Sequence, residues 1–358
     1  MKICVIGAYG YTGKIICQEL ERRGLAFAIA GRDSQKLASF SASMRSVPHC
    51  FSGEITHPQF VEELLSSFDL LVNCAGPFEE ESWLLLKSIS SSGKIYLDIS
   101  GEIGFIKSSF ENYNKAAVDS GSLILHGCAF ESFISALELQ RLVGENRNYI
   151  GFRTCYDFAQ KRFSPGTKLT MKLSQYRTPF VVKNSSWAVS DLQLDRFTLE
   201  TTGIKRSKIA VPYPLPEIAF TQWSYAPEFS ESLLILSVEE AAFTGMTRTP
   251  RETVQEAHQR LRQRKQAGPS EQERKEQCCT LTCILYTEGN RSVATATQCQ
   301  DMYGLTGRII CLLIDKIIQN RGAFSGVLNP ASLFEGNEGA KLEELECFFE
   351  PVQNFTLK

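Results

Sequence analysis

The chain has 358 residues, of which 43% are hydrophobic and 22% are charged, a composition typical of a folded globular protein large enough for more than one core. Its 38 lysines and arginines nearly balance its 40 aspartates and glutamates, and the net charge of −2 gives no support to a nucleic-acid or polyanion partner. The 12 cysteines form no spaced CxxC pair and have no histidine cluster beside them, which argues against a metal site and favours reduced thiols in the cytoplasm.

Apolar runs in this chain are short. The first, at residues 2–6, has the length of a strand and meets Gly7 at once, which is unlike a secretory signal. The run from Ile309 to Ile314 ends at Asp315 and is far too short to cross a bilayer. We therefore expect no membrane span.

The first 128 residues alternate between strand-like and helix-like segments. Strands are predicted at 2–6, 26–30, 46–50, 69–74, 94–99 and 122–126, and helices at 13–23, 34–41, 58–67, 81–91 and 110–120. Strands that are apolar along their length and alternate with helices indicate a parallel sheet covered on both faces. This pattern predicts a doubly wound α/β domain of the Rossmann type, which binds ligands at the carboxyl ends of its strands.

The middle of the chain has a different pattern. Residues 149–158, 167–175, 232–238 and 279–298 resemble strands with no long helices between them, which predicts a second, mostly antiparallel α/β domain. The charged segment 251–277 is interpreted as a solvated helix or two, broken at Gly268-Pro269. An amphipathic helix at 304–320 is expected to return to the first domain. The predicted domains are 1–128, 129–302 and 303–358.

Three glycines follow the first strand in the sequence GAYGYTG. In a phosphate-binding turn Gly7 permits the sharp bend, Gly10 permits close approach of a pyrophosphate, and Gly13 permits the helix to pack on its strand. The helix N-terminus then supplies N–H groups and a positive dipole end. The alternative is a structural turn with no ligand.

The end of the second strand indicates which dinucleotide is bound. An NAD site usually places an acidic residue there to bind the ribose 2′-hydroxyl. Here the sequence is Ala30-Gly31-Arg32, in which glycine leaves room and Arg32 can pair with a 2′-phosphate. Lys36 is expected to assist it. This favours NADP(H), unless Arg32 is an ordinary surface arginine.

Two later strand ends also carry candidate residues. Asn73 to Pro77 ends the fourth strand, and its Gly-Pro pair is expected to bring backbone close to the nicotinamide-side ribose. Asp98 to Glu102 ends the fifth strand with two carboxylates. A plain turn and structural caps are the respective alternatives.

Five short motifs occur in an order that is familiar: GAYGYTGK, AGRDSQKL, VNCAGPF, YLDISGE and LHGCAFES. Together they resemble the saccharopine dehydrogenase-like NADP-binding oxidoreductase family, including its trans-acting enoyl reductase branch. The resemblance is close over residues 1–132, loose over about 133–265, and continues in later landmarks: Phe243-Thr244-Gly245, Gly268-Pro269-Ser270, Tyr303-Gly304-Leu305-Thr306 and Gly326 to Ala331.

This resemblance implies a Rossmann domain, an inserted substrate domain and reduction by NADPH. The cofactor-binding residues expected from the turn, the strand ends and the resemblance are Gly7, Tyr9, Gly10, Tyr11, Thr12, Gly13, Arg32, Lys36, Glu54, Asn73, Ala75, Gly76, Pro77 and Gly101. Glu54 matches the position at which members of this family place an acid near the adenine. The chain departs from the family pattern at Ala129, Glu131 and Ile134, and again after Gly245, which leaves its substrate and its turnover open.

The function predicted is NADPH-dependent reduction of a C=C, C=N or C=O bond in a partly apolar small molecule. Glu102, Glu131 and Tyr303 are the candidate proton donors, and His126 is interpreted mainly as a packing residue. The aromatic segment Tyr213 to Phe229 either lines a substrate cleft or packs on the sheet. An NADP-sensing protein without turnover and an opine or amino-acid dehydrogenase are the alternatives, and a homodimer is left open.

Overall fold

The structure is a computed structural model that describes residues 1–190, 208–237, 268–289 and 291–334, together with residues 256, 345 and 348–351. The landmark Phe243-Thr244-Gly245, the stretch that follows it and most of the charged segment 251–277 lie outside the described residues.

Strands and helices alternate first and strands dominate later. The strands are Ile3–Ile6 (β1), Phe27–Gly31 (β2), Cys50–Ser52 (β3), Leu70–Asn73 (β4), Ile95–Asp98 (β5), Leu123–Leu125 (β6), Tyr149–Phe158 (β7), Phe180–Lys183 (β8), Ser186–Val189 (β9), Lys208–Pro212 (β10), Phe229–Ser237 (β11), Cys278–Thr287 (β12), Arg291–Gln300 (β13), Gly326–Leu328 (β14) and Phe348–Pro351 (β15). The helices are Tyr11–Arg22 (α1), Ser34–Ala42 (α2), Pro58–Ser67 (α3), Phe78–Glu81 (α4), Trp83–Ile89 (α5), Ile103–Ser120 (α6), Phe130–Glu145 (α7), Pro165–Leu173 (α8), Pro216–Tyr225 (α9), Glu271–Lys275 (α10) and Met302–Gln319 (α11), with short 3₁₀ helices at Ser174–Tyr176 and Pro330–Leu333.

The chain divides into two compact units. The first comprises Met1–Phe133, Ser164–Thr170 and Tyr303–Glu338, and the second comprises Ile134–Phe163, Met171–Met302 and Gly339–Lys358. The predicted domain boundaries differ from these limits and stay a prediction.

The first unit contains a parallel sheet with the strand order β14-β6-β5-β4-β1-β2-β3. Every neighbouring pair in it is parallel. Its central strands β1, β4 and β6 are buried at every position, as expected when helices cover both faces. The predicted Rossmann-type doubly wound sheet is therefore confirmed. The edge strand β14, which has only three residues, was not predicted.

The helices of the first unit follow local sequence signals. Helix α1 buries Ile16, Cys17 and Leu20 along one stripe, the spacing of an amphipathic helix. Helix α2 begins after Asp33, whose carboxylate accepts the N–H of Lys36 at 3.0 Å, an N-cap that satisfies one of the unpaired donors of the first turn.

The second unit contains a mixed sheet with the order β15-β13-β12-β7-β11-β8-β9, and β10 pairs with β11. Among the described strands, β7 and β11 form a parallel pair and the other neighbours are antiparallel. A second, mostly antiparallel sheet is thereby confirmed. The predicted strand at 167–175 is wrong, because Pro165 opens helix α8 and the hydroxyl of Ser164 accepts the N–H of Thr167 at 3.1 Å, a start signal for a helix.

Helix α9 carries a buried acid onto the second sheet. Its residues Ile218, Ala219 and Phe220 are buried, which favours the packing interpretation of this aromatic segment over that of a lid. Glu217, in its first turn, is only 1% exposed.

The carboxyl group of Glu217 is bound on one side only. Its Oε1 accepts hydrogen bonds from the hydroxyls of Thr154 and Tyr156 at 2.7 Å and of Ser232 at 2.5 Å. Its Oε2 has no hydrogen-bond partner in the described part of the chain. Burial raises the pKa of Glu217, and the three hydroxyls offset only part of that rise.

The raised pKa of Glu217 predicts a pH-dependent free energy of unfolding. The folded state holds the proton more tightly than the unfolded state, so stability is greatest below the ordinary glutamate pKa and falls by about 1.4 kcal/mol per pH unit until the folded pKa is passed. The variant Glu217→Gln keeps an oxygen acceptor but does not titrate, and should lose this slope.

Urea unfolding between mildly acidic and mildly alkaline pH measures the effect. The exposed Glu62 offers the matched control Glu62→Gln, which should keep the wild-type slope. An identical pH dependence of stability in wild type and Glu217→Gln would show that folding does not raise the pKa of Glu217.

Candidate functional site

The glycine turn connects β1 to α1 at the carboxyl edge of the parallel sheet. Gly7 has a φ of +74°, in the left-handed region that favours glycine. Its N–H donates to the carbonyl of Ala30 at 2.8 Å, and its carbonyl accepts the N–H of Gly10 at 2.9 Å. A Cβ at position 7 would lie 2.9 Å from the nitrogen of Ala75. Gly7 is therefore the point at which the ends of β1, β2 and β4 meet.

Gly13 is required by the same close packing. A Cβ there would lie 2.4 Å from the carbonyl oxygen of Gly7, which is far inside van der Waals contact. Gly10 is the N-cap of α1 and supplies no side-chain cap. The first N–H groups of a helix have no intrahelical acceptors, so the turn presents α1 to an anion in the way a pyrophosphate site requires.

Tyr9 fills the space beside Gly31 at the end of β2. A Cβ on Gly31 would lie 2.7 Å from Cε1 of Tyr9, and the Tyr9 hydroxyl accepts the N–H of Asp33 at 3.3 Å. The expectation that Gly31 leaves room for a phosphate needs correction, because the tyrosine ring occupies that room.

The two cations after β2 have different partners. Arg32 is exposed, and none of the described residues forms a hydrogen bond or ion pair with it. Lys36 pairs with the carboxylate of Asp33 at 2.8 Å and lies 5.9 Å from the centre of the Tyr9 ring. Arg32 is thus available to pair with a ligand, whereas Lys36 would first have to leave the carboxylate of Asp33. Glu54 is also exposed, with His57 3.8 Å away.

Asn73 is fully occupied at the end of β4. Its Nδ2 donates to Ser82 at 3.1 Å and to Tyr96 at 3.0 Å, and its Oδ1 accepts the N–H of Ala75 at 3.0 Å. Its side chain is completely buried. What this strand end offers to a ligand is therefore the backbone beyond it, where Gly76 is exposed and joined to Pro77 by a cis peptide bond.

Asp98, His126 and Ser109 form a buried chain of hydrogen bonds. Oδ2 of Asp98 lies 2.6 Å from Nδ1 of His126, and Nε2 of His126 lies 2.7 Å from Oγ of Ser109. Burial acts to raise the pKa of Asp98, but the charge and hydrogen bond of His126 and the hydrogen bonds of Ser100 together outweigh it, and the pKa lies below its usual range. All three side chains are completely buried. The set matches the residue types of a hydrolase triad, yet no substrate reaches it.

Ser109 was not predicted, because a serine in the middle of α6 gives no local signal. The interpretation of His126 as a satisfied packing residue agrees with this geometry.

Glu102 serves as a cap. Its Oε1 accepts the N–H of Phe78 at 3.0 Å and its Oε2 accepts that of Glu79 at 2.6 Å, so both oxygens are bound by the first turn of α4. The carboxylate is 3% exposed. This geometry favours the structural alternative for Glu102 over a proton donor.

Tyr303 and Glu131 are both residues of the first unit. The Tyr303 hydroxyl accepts the N–H of Ser164 at 2.7 Å and lies 3.1 Å from the hydroxyl of Thr167. Its ring packs edge-on against Tyr11, with centroids 4.9 Å apart, which places it beside the first turn of α1. Glu131 lies in the first turn of α7 and is partly exposed.

The described residues contain no group of three histidine, cysteine or acidic side chains able to hold a metal ion. No described helix is both long and apolar enough to cross a membrane.

Comparison with known proteins finds a family match for the first third of the chain. Residues 3–125 match the family model described as the saccharopine dehydrogenase NADP binding domain. The similarity to this domain family covers about a third of the chain. The match confirms the predicted resemblance and the class of cofactor, a nicotinamide dinucleotide.

Curated relatives share the same portion of sequence. A trans-acting enoyl reductase of Mycobacterium ulcerans is 27% identical over 146 residues, which cover 39% of this chain and 35% of that protein. A protein of Arabidopsis thaliana described as a mitochondrial saccharopine dehydrogenase-like oxidoreductase is 31% identical over 149 residues, covering 38% of this chain and 33% of its own. The chain thus spans about a third of the length of the curated relatives it matches.

Among solved structures, the fold resembles that of the apo saccharopine dehydrogenase (L-Glu forming) of Saccharomyces cerevisiae. The TM-score is 0.64 at 10% sequence identity, with 98% of this chain and 100% of that chain covered. At this identity the likeness concerns the fold alone.

The contact of Gly13 with the carbonyl of Gly7 predicts a large cost for a single methyl group. Gly13→Ala should lower the free energy of unfolding by about 1–3 kcal/mol, because the backbone must shift to admit the side chain. Gly144 in α7 has open space around a Cβ, and Gly144→Ala should be neutral or stabilising. Thermal melting of both variants measures the difference, and equal melting temperatures would contradict the packing described.

Proposed function

We propose that this chain is an NADPH-dependent oxidoreductase that reduces a C=C, C=N or C=O bond of a small, partly apolar molecule in the cytoplasm. The observation that carries the proposal is the exposed guanidinium of Arg32 at the end of β2. It lies at the same carboxyl edge of the parallel sheet as the glycine turn. The names of the relatives support an oxidoreductase.

Charge at the end of β2 supports NADPH over NADH. A 2′-phosphate adds negative charge at the adenosine ribose, and a guanidinium pairs with it through two parallel hydrogen bonds. Asp33 follows Arg32 directly and would repel the phosphate, but its carboxylate pairs with Lys36 at 2.8 Å and accepts the N–H of Lys36 at the start of α2. Position 32 therefore lacks the acid that an NAD site uses there. The negative charge of Asp33, at the next position, is paired with Lys36.

The rest of the edge suits the remaining parts of a dinucleotide. The N-terminus of α1 would hold the pyrophosphate through N–H groups and dipole. The exposed backbone at Gly76 would contact the ribose on the nicotinamide side. Bound NADPH supplies a hydride, and the protein must then orient it, exclude water and donate a proton to the reduced substrate.

Tyr303 is the donor that the geometry favours among the three candidates. Its hydroxyl oxygen accepts the N–H of Ser164 and lies 3.1 Å from the hydroxyl of Thr167, a pair in which either group can donate. Its ring contacts Tyr11 in the first turn of α1. Glu102 is disfavoured because both of its oxygens are engaged in capping. Glu131 keeps its predicted role as an alternative.

The variant Arg32→Ala tests the cofactor assignment. It should weaken NADPH binding by about 1–3 kcal/mol, the scale of a hydrogen bond to a charged group, and leave NADH binding nearly unchanged. Isothermal titration with both cofactors gives the two affinities.

A matched control is Arg22→Ala, which removes an exposed arginine that pairs with Glu19 on α1. It should leave both affinities unchanged. Equal losses of affinity for NADPH and NADH in Arg32→Ala would refute the role of Arg32. Tighter binding of NADH than of NADPH by the wild-type protein would refute the assignment of NADPH as the cofactor.

A further inference from the structure

We propose that Asp98 is the residue that positions the nicotinamide half of the cofactor, by joining the two chain segments that follow β5 and β6. The inference rests on the proposed function, since it assigns a role within the same cofactor site. It concerns a positioning residue, because Asp98 is completely buried and acts through the segments it holds.

One carboxylate oxygen gathers both segments. Oδ1 of Asp98 accepts the N–H of Ser100 at 3.0 Å and its hydroxyl at 2.7 Å. The same oxygen accepts the N–H of Gly127 at 3.0 Å. The backbone carbonyl of Asp98 adds a bond from the N–H of Cys128 at 2.7 Å. The segment 99–101 after β5 and the segment 127–128 after β6 are therefore fixed to each other through a single residue.

These segments lie in the half of the sheet that the adenosine does not use. A doubly wound sheet binds a dinucleotide across the carboxyl ends of two halves. Here β1, β2 and β3 form the half with the glycine turn and Arg32, whereas β4, β5 and β6 form the other half. The nicotinamide half is therefore expected over the segments that Asp98 joins.

The second oxygen of Asp98 fixes the carboxylate itself. Oδ2 pairs with His126, which is held from its far side by Ser109 of α6. A carboxylate bound on both oxygens inside a protein cannot rotate without breaking a charge-assisted hydrogen bond. This arrangement separates two functions within one network: Oδ1 holds the ligand-side segments, and the His126–Ser109 arm anchors the carboxylate in the domain.

Two variants form a matched pair. Asp98→Asn keeps the shape of the side chain but removes its charge and places an NH₂ group in the network, which weakens the hold on Ser100 and Gly127. The comparison variant Ser122→Ala removes a buried hydroxyl directly before β6 that donates to the carbonyl of Ile89 at 2.7 Å, outside this network. Both are expected to lower the melting temperature, so stability alone does not distinguish them.

Two probes of known structure distinguish positioning from stability. NADPH spans both halves of the site, whereas 2′,5′-ADP carries only the adenosine and its phosphates. Asp98→Asn should weaken the binding of NADPH by about tenfold, the equivalent of one hydrogen bond to a charged group. It should also change the fluorescence emission of the bound nicotinamide. It should leave the affinity for 2′,5′-ADP within about twofold of wild type, and Ser122→Ala should leave the affinities for both probes unchanged.

If Asp98→Asn weakened the binding of NADPH and of 2′,5′-ADP equally, or weakened the binding of neither, the positioning role would be overturned. If Asp98→Asn does not fold, Ser100→Ala removes one bond to Oδ1 without altering a charge and should weaken NADPH alone, by about threefold. Failure of the wild-type protein to bind either probe would instead refute the proposed function.

Discussion

The contact between Gly13 and the carbonyl of Gly7 sets the geometry on which the site depends. Because there is no side chain between them, α1 begins directly against the turn and its N-terminus stays at the carboxyl edge of the sheet. Gly7 at the same time touches the chain after β4 and bonds to Ala30 at the end of β2. The N-terminus of α1 and two strand ends are thus fixed by two residues that lack a Cβ.

The charged residues at this edge divide into a structural set and a set available to ligands. Asp98 and Glu102 are buried and accept backbone N–H groups, so their charges hold the segments after β5 in place. Arg32 is exposed and none of the described residues pairs with it. The pKa of Asp98 lies below its usual range because of its hydrogen bonds and the charge of His126, and an exposed guanidinium is free to bind an anionic ligand. This division favours a binding role for Arg32 and a structural one for the acids.

Local signals in the sequence were sufficient for most of the parallel sheet. Continuous apolar runs predicted five of its strands to within one residue at either end, whereas the strand predicted at 46–50 lies at Cys50–Ser52. The strand predicted at 149–158 in the second unit agrees with β7. The glycine spacing located the turn, because the steric need for Gly7 and Gly13 is local. The strand β14 was not predicted, since three residues carry too little periodicity. The strand predicted at 167–175 is wrong, because Pro165 begins helix α8 there.

Contacts between distant residues were beyond sequence reasoning. Nothing in the chain indicates that Tyr9 fills the gap at Gly31 or that Ser109 supports His126, because each pair is brought together by the fold. The same limit applies to proton donors. Glu102 follows a strand end as a catalytic acid often does, and only the position of α4 shows that it caps a helix.

Hydride transfer from labelled cofactor tests the central claim most directly. NADPH carrying deuterium at C4 of the nicotinamide is incubated with the protein and a panel of conjugated alkenes, imines and ketones, with keto acid plus amine as a further pair, and products are analysed by mass spectrometry. The account predicts deuterium on carbon in a product of at least one class, with NADPH preferred over equally labelled NADH. Tight binding of NADPH without transfer to any class would contradict an oxidoreductase and support an NADP-sensing protein.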